Sequence, residues 1–245
     1  MLSLLVALTQ LLNHLFAAPI TAVMLTLGIH PAHPASPINR ALALEIFIAV
    51  VMLAFLVLVR ATLSVERPGS VQQLTEIVHE FVSNQGESII GHGYEPHVAI
   101  ATVVLVFLLC CNFTGLLPGI DSVTSDPVVP LGVALIVFVY YHWNGVRAQG
   151  LWGYIKHFAG PVWWIAPLLF PIEIISHLAR IMSLTIRLYA NMFASDLLTL
   201  VFFSMIPIGI PVLFLALHFG VAIIQAYVFM LLTLIYLSQA VAQEH

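Results

Sequence analysis

Arg187 lies deep in an apolar stretch running from Pro171 to Met205, within the segment Ser-Leu-Thr-Ile-Arg-Leu-Tyr-Ala-Asn-Met-Phe at 183–193. A guanidinium keeps its proton in proteins. The position is therefore a fixed positive charge at membrane depth, at a cost of roughly 2.5–3.5 kcal/mol on insertion scales. Its neighbours are patterned. On a wheel of 100° per residue with Glu173 at zero, His177, Arg180, Leu184, Arg187 and Asn191 fall at about 40°, 340°, 20°, 320° and 0°. Every carboxylate, imidazole and guanidinium of 172–191 thus faces one way, and Ile175, Leu178, Met182 and Ile186 form an apolar face opposite. Asp196 stands about 140° from the stripe, turned toward a neighbouring helix. Further along, His218 and Gln225 are seven residues apart and share a face, with Gln239 near it. Carboxylate, imidazole and carboxamide groups pass protons along hydrogen-bonded water. A cation that cannot be titrated interrupts such a path.

Structural readings stand beside the chemical ones. His177 could be a packing histidine bonded to a backbone carbonyl. His218 and Gln225 could be interhelical hydrogen-bonding glue, and Glu173 and Arg180, seven apart, could pair. The histidines at 14, 30, 33, 79, 92, 97, 142, 157 and 245 read as solvated loop or interface residues without metal-ligand spacing. Cys110 and Cys111 are adjacent inside an apolar run and offer neither a disulfide framework nor a metal site. No cofactor is read from the chain. Two other classes of function remain: a stand-alone ion-coupled transporter, and a respiratory subunit with His177 and His218 as axial haem ligands. The first would bring paired broken helices in two repeats, and no such repeat is visible.

The elements that must hold these residues follow from composition. The 245 residues are 61% hydrophobic and 7% charged, with a mean hydropathy of +1.07; a soluble protein carries about 25% charged residues. The fold class is an all-α membrane protein of five spans, at about 41–63, 97–117, 128–147, 163–205 and 211–240, with interfacial amphipathic helices. Residues 1–40 read as an external or interfacial segment; the first thirty lie on or dip into the membrane, and His30–Pro37 is an extended lead-in. The first stretch lacks the basic n-region of a signal peptide. Pro118-Gly119 closes the second span, and Asp126 caps the third, with Pro127 just inside it. Residues 171–205 as one helix would cover roughly 50 Å, against a hydrocarbon core of about 30 Å. With Pro207, Gly209 and Pro211 as the breaker, the last two spans form a long, strongly tilted hairpin.

Arg60, Arg67, Arg147 and Lys156 fall in loops on one side, Arg40 being the exception. The bias makes that side cytoplasmic, with the N-terminus outside and the C-terminus inside. Glu173 and His177 then lie near the cytoplasmic end of the fourth span, and Asp196 and His218 near the outer turn. The two polar patches are separated by Arg187, so a proton passing between them needs a mobile carrier. Residues 70–90 form an interfacial helix with Val71, Leu74, Ile77, Val78, Phe81 and Val82 on one face, and Gln72, Thr75, Glu76 and His79 largely opposite. Ser70 and Gln73 have capping-box spacing. With Glu76, Glu80 and Glu87 and no Lys or Arg, the helix suits packing against protein better than anionic headgroups. The net charge of −4 gives nucleic acid no foothold.

Ser183 to Met192, the run Gln225-Ala-Tyr-Val-Phe-Met-Leu-Leu-Thr-Leu-Ile-Tyr-Leu237 and Asn112-Phe-Thr-Gly-Leu-Leu-Pro-Gly119 resemble, in this order, three motifs of subunit a of the rotary ATP synthase. The resemblance covers roughly 40–245. It implies a non-catalytic stator subunit that works against a c-ring beside peripheral-stalk b subunits and the remaining synthase subunits, within membrane lipid. The bacterial inner membrane is the implied location, and ATP chemistry belongs to other subunits. By the same resemblance Arg187 matches the arginine facing the ring carboxylate. Asn191, Asp196, His218 and Gln225 match the outer half-channel, and Glu173 the cytoplasmic one, whose face His177 shares. Ala190, Ser195-Asp196 and Ile181 depart from the residues common in the family at those positions.

Overall fold

The computed structural model describes residues 2–26, 36–38, 40–61, 63–64, 69–117, 122–159, 166–205 and 209–241. Pro118-Gly119, Asp121, Arg67, Pro207 and most of His30–Pro37 lie outside these, as do the side chains of Arg40 and Lys156. The described chain is helical and contains no strand: α1 (Leu2–Thr26), α2 (Arg40–Ala61), α3 (Ser70–Ile90), α4 (Glu95–Phe113), α5 (Val128–Ala159), α6 (Ala166–Met205) and α7 (Ile210–Val241). Two single 3-10 turns, Thr114–Leu116 and Val123–Ser125, sit between α4 and α5. Six of the helices are long and apolar enough to cross a membrane, the sixth being Val6–Thr26 in the region expected to lie at the surface.

The core is built from α4, α5, α6 and α7, which pack on one another. Val104 and Leu108 of α4, Val137 and Tyr141 of α5, Leu184, Leu188 and Met192 of α6, and Phe229 and Leu237 of α7 fill it. Apolar burial gives little between helices already in lipid, so close packing must hold them. Ala222 and Ala226, one turn apart and fully buried, give α7 the small-residue stripe that lets neighbouring helices approach. α6 spans 40 residues, about 60 Å at 1.5 Å per residue. It runs antiparallel beside α7, with Arg180 meeting Tyr236, Arg187 meeting Gln225 and Phe202 meeting Phe214, and has Pro171 near its start.

Several local readings are corrected. The capping box at Ser70–Gln73 does not form. Gly69 is the N-cap with no side-chain bond, and the Gln73 N–H donates to the Gly69 carbonyl at 3.0 Å. Gln72, expected on the exposed side of α3, is buried because its amide pairs with both backbone groups of Ser64, at 3.0 and 3.2 Å. As a result α3 packs on α4 and α7 through Val82 and Gly86, while Val71, Leu74, Ile77 and Phe81 stay exposed. Asp126 does cap α5, its Oδ1 accepting from the Val128 N–H at 3.1 Å. α5 runs past the expected end at 147 and breaks at Gly150, whose φ of 74° favours glycine. Beyond the break Tyr154 folds back against Gly145, where a Cβ would lie 2.5 Å from its ring.

Candidate functional site

Near the α6–α7 connection, Asp196 Oδ1 lies 3.3 Å from His218 Nδ1. His218 is 1% exposed, and its Nε2 is 3.1 Å from the Asn112 carbonyl. A carbonyl only accepts, so Nε2 carries a hydrogen and Nδ1 faces the carboxylate. Among the described residues Nδ1 has no hydrogen-bond partner, so the 3.3 Å approach to the carboxylate is close contact rather than a hydrogen bond. A carboxylate and an imidazole this close are groups of the kind that exchange protons. The other carboxylate oxygen accepts from the Ser122 N–H at 2.9 Å. Asn112, fully buried, donates to the Ala222 carbonyl at 3.0 Å and accepts from the Thr124 hydroxyl at 2.7 Å. Thr124 in turn lies 2.8 Å from the Ser122 hydroxyl. The 3-10 turn at 123–125, α4, α6 and α7 are thereby joined around the pair. Gly115 leaves the room: a Cβ there would come within 2.8 Å of both Asp196 Oδ1 and His218 Cε1.

Near the start of α6 a second cluster forms. His177 Nε2 is 3.4 Å from Glu173, one turn away. His177 Nδ1 is 2.8 Å from the hydroxyl of Tyr141, which is 2% exposed. The His142 ring lies 4.9 Å from that of His177 and 5.9 Å from that of Tyr154. Arg180 does not pair with Glu173 in an ion bridge; its guanidinium lies 5.1 Å over the Tyr236 ring. Burial pushes the Tyr154 hydroxyl, beyond the α5 break, up to about 12, so it stays protonated at neutral pH. Sequence reading missed Tyr141, Tyr154 and Tyr236, and set His142 and His97 among solvated histidines. His142 faces this cluster, and His97 is buried with Nδ1 3.3 Å from the Tyr140 hydroxyl.

Arg187 stands between the clusters, about 15 Å along α6 from His177 and about 13 Å from Asp196 at 1.5 Å per residue. Its side chain is exposed and donates from Nη2 to the Ser183 hydroxyl at 3.3 Å. Among the described residues no acid pairs with it. Gln225 is buried and donates to the Arg187 backbone carbonyl at 2.9 Å, tying α7 to α6 at this level. Asn191 is exposed one turn beyond and is not drawn into the Asp196–His218 pair. The face of α6 opposite the polar stripe is apolar and outward: Leu178, Met182, Ile186 and Phe193 are all exposed. His177 and His218, the pair a haem would need, contact two different sets of residues.

Comparison of the sequence with known proteins gives one consistent family. The family described as ATP synthase A chain matches residues 42–238. ATP synthase subunit a of Koribacter versatilis is 49% identical over 237 residues, covering 97% of each chain. That of Solibacter usitatus is 41% identical over 87% of this chain and 92% of its own. That of Helicobacter hepaticus is 39% identical over 73% and 80%.

Proposed function

Because the chain belongs to the ATP synthase A chain family, we propose that it is the stator proton-channel subunit, loading and unloading a carboxylate of the c-ring through two aqueous half-channels. Family membership makes it an integral membrane component of the proton-translocating sector, assembled with other ATP synthase subunits. The finer reading rests on one observation: an exposed arginine, without an acid partner among the described residues, between two separate clusters of proton-exchanging groups. A charge so placed calls for a carboxylate on a neighbouring chain.

In this reading protons enter from outside by Asp196, His218, Asn191 and Gln225 and neutralise the ring carboxylate. The ring turns, and they leave by His177 and Glu173. Arg187 repels protons and attracts the ionised carboxylate, so the clusters communicate only through rotation. Each proton delivers about 2.3 kcal/mol per 100 mV. The chain makes no covalent bond change. Its length favours a steep tilt of α6 and α7 along the ring. Peripheral-stalk b subunits are its other neighbours, in a bacterial inner membrane with the N-terminus outside and the C-terminus cytoplasmic.

The test is sidedness. Cysteines replacing Asp196 and Glu173 should react with a membrane-impermeant thiol reagent from opposite faces, the first from outside and the second from the cytoplasm. Labelling of both from one face overturns the two half-channels. Gln225→Leu should slow proton pumping while the complex remains on an immunoblot. The lost interhelical bond is worth about 0.6 kcal/mol on average in membranes, too little to prevent assembly. Loss of the complex would make Gln225 structural glue.

A further inference from the structure

Tyr141, His142, Tyr154 and Tyr236 have no part in the scheme above, yet they surround His177. We infer that His142 is a second proton-exchanging imidazole, coupled to His177 beside Tyr141, at the Glu173 end of the proton path. This rests on the proton-channel reading.

The geometry carries it in three steps. The Tyr141 hydroxyl, 2.8 Å from His177 Nδ1, donates to the neutral ring and accepts from the charged one. The bond therefore survives a change of charge on His177. His142 Nδ1 lies 3.0 Å from the Phe138 carbonyl. That oxygen only accepts, so Nδ1 holds its hydrogen and Nε2 is the exchangeable nitrogen. The two rings are 4.9 Å apart, close enough that a charge on one disfavours a charge on the other. A proton bound to one imidazole weakens proton binding by the other. No bond other than N–H is made or broken, and the released proton goes to water.

The groups facing the pair are Tyr141 and Tyr154 from α5, Glu173 and Arg180 from α6, and Tyr236 from α7. Tyr154 keeps its proton and contributes position only. Arg180 adds positive charge, which further opposes double protonation, while Glu173 supports a single charge on His177. Burial grades outward: His177 is buried and His142 half-buried. That gradient suits transfer between the interior and water.

The experiment uses the assembled complex in inverted membrane vesicles, with ATP-driven proton pumping followed from about pH 5.5 to 8.5, across the imidazole range near 6.5. In His142→Gln, pumping should fall about tenfold above neutrality, where protons are scarce, and the imidazole inflection should vanish. Added imidazole should restore pumping in His142→Ala. Tyr141→Phe keeps the ring and should shift the inflection without loss of assembled complex. A parent-like profile in His142→Gln without an imidazole response, or in Tyr141→Phe should His142 variants fail to assemble, overturns the inference. Arg187→Ala vesicles run in parallel separate the two levels. A silent Arg187→Ala beside a normal His142→Gln removes only the relay, whereas normal pumping by Arg187→Ala removes the channel reading beneath it.

Discussion

Arg187→Ala is expected to abolish ATP-driven proton pumping while the complex assembles in normal amounts. The side chain makes one bond, to Ser183 at 3.3 Å. The link from Gln225 reaches the backbone carbonyl and survives truncation. Removing an unpaired cation at membrane depth relieves roughly 2.5–3.5 kcal/mol, so insertion should not suffer. What is lost is the attraction for an ionised carboxylate and the barrier to protons between the clusters. Arg187→Lys should also fail, because an ammonium lacks the planar fork and sheds its proton when desolvated. The measurements are pumping and passive proton leak in vesicles, beside an immunoblot for assembled complex. Coupled pumping by Arg187→Ala would end the central claim.

Gly115→Ala is expected to cut proton pumping steeply. The added carbon would meet Asp196 Oδ1 at 2.8 Å, His218 Cε1 at 2.8 Å and His218 Nε2 at 2.9 Å. His218 cannot give way easily, since it is buried and bonded to Asn112. Asp196 is held by the Ser122 N–H. Overpacking of this kind costs about 1–3 kcal/mol. The larger effect is functional: misplacing exchanging groups by about 1 Å costs on the order of 10²-fold in enzymes. Pumping should fall steeply while Gly220→Ala, with nothing within 4 Å of the new carbon, leaves it unchanged. Equal pumping by the two variants would show that the Asp196–His218 geometry does not matter.

The polar stripe on α6 was legible because helical periodicity alone puts Glu173, His177 and Arg187 on one flank, and the angular offset of Asp196 did predict that it turns to another helix. The long hairpin was legible from apolar length. The aromatic half of the α5–α6 cluster was not. Tyr141 and Tyr236 look like ordinary apolar filling in their runs, and only the packing of α5 and α7 brings them to His177. His142 was set among solvated residues because the third span was taken to end five residues beyond it; α5 continues, then folds Tyr154 back over it. The Asn112 network was visible only as part of a motif, since its partners Ala222, Thr124 and His218 come from elements distant in sequence. Gly115 carried no local signal: its requirement arises from two side chains on other helices.

The flank made by α1 and α2 has a consequence for handling the protein. Only 6% of each spanning window is buried by the rest of the chain. α1 is tied to the start of α2 by Asn13, which exchanges two 2.9 Å bonds with the backbone of Ile38. α2 in turn leans through Ile48 on Cys111, Val123 and Val129, and Val123 adjoins Ser122, whose N–H holds Asp196. This flank is therefore left open to the acyl chains of the bilayer. Detergent extraction that strips them loosens a support beneath the proton-exchanging pair, so activity should fade with delipidation before the four-helix core comes apart.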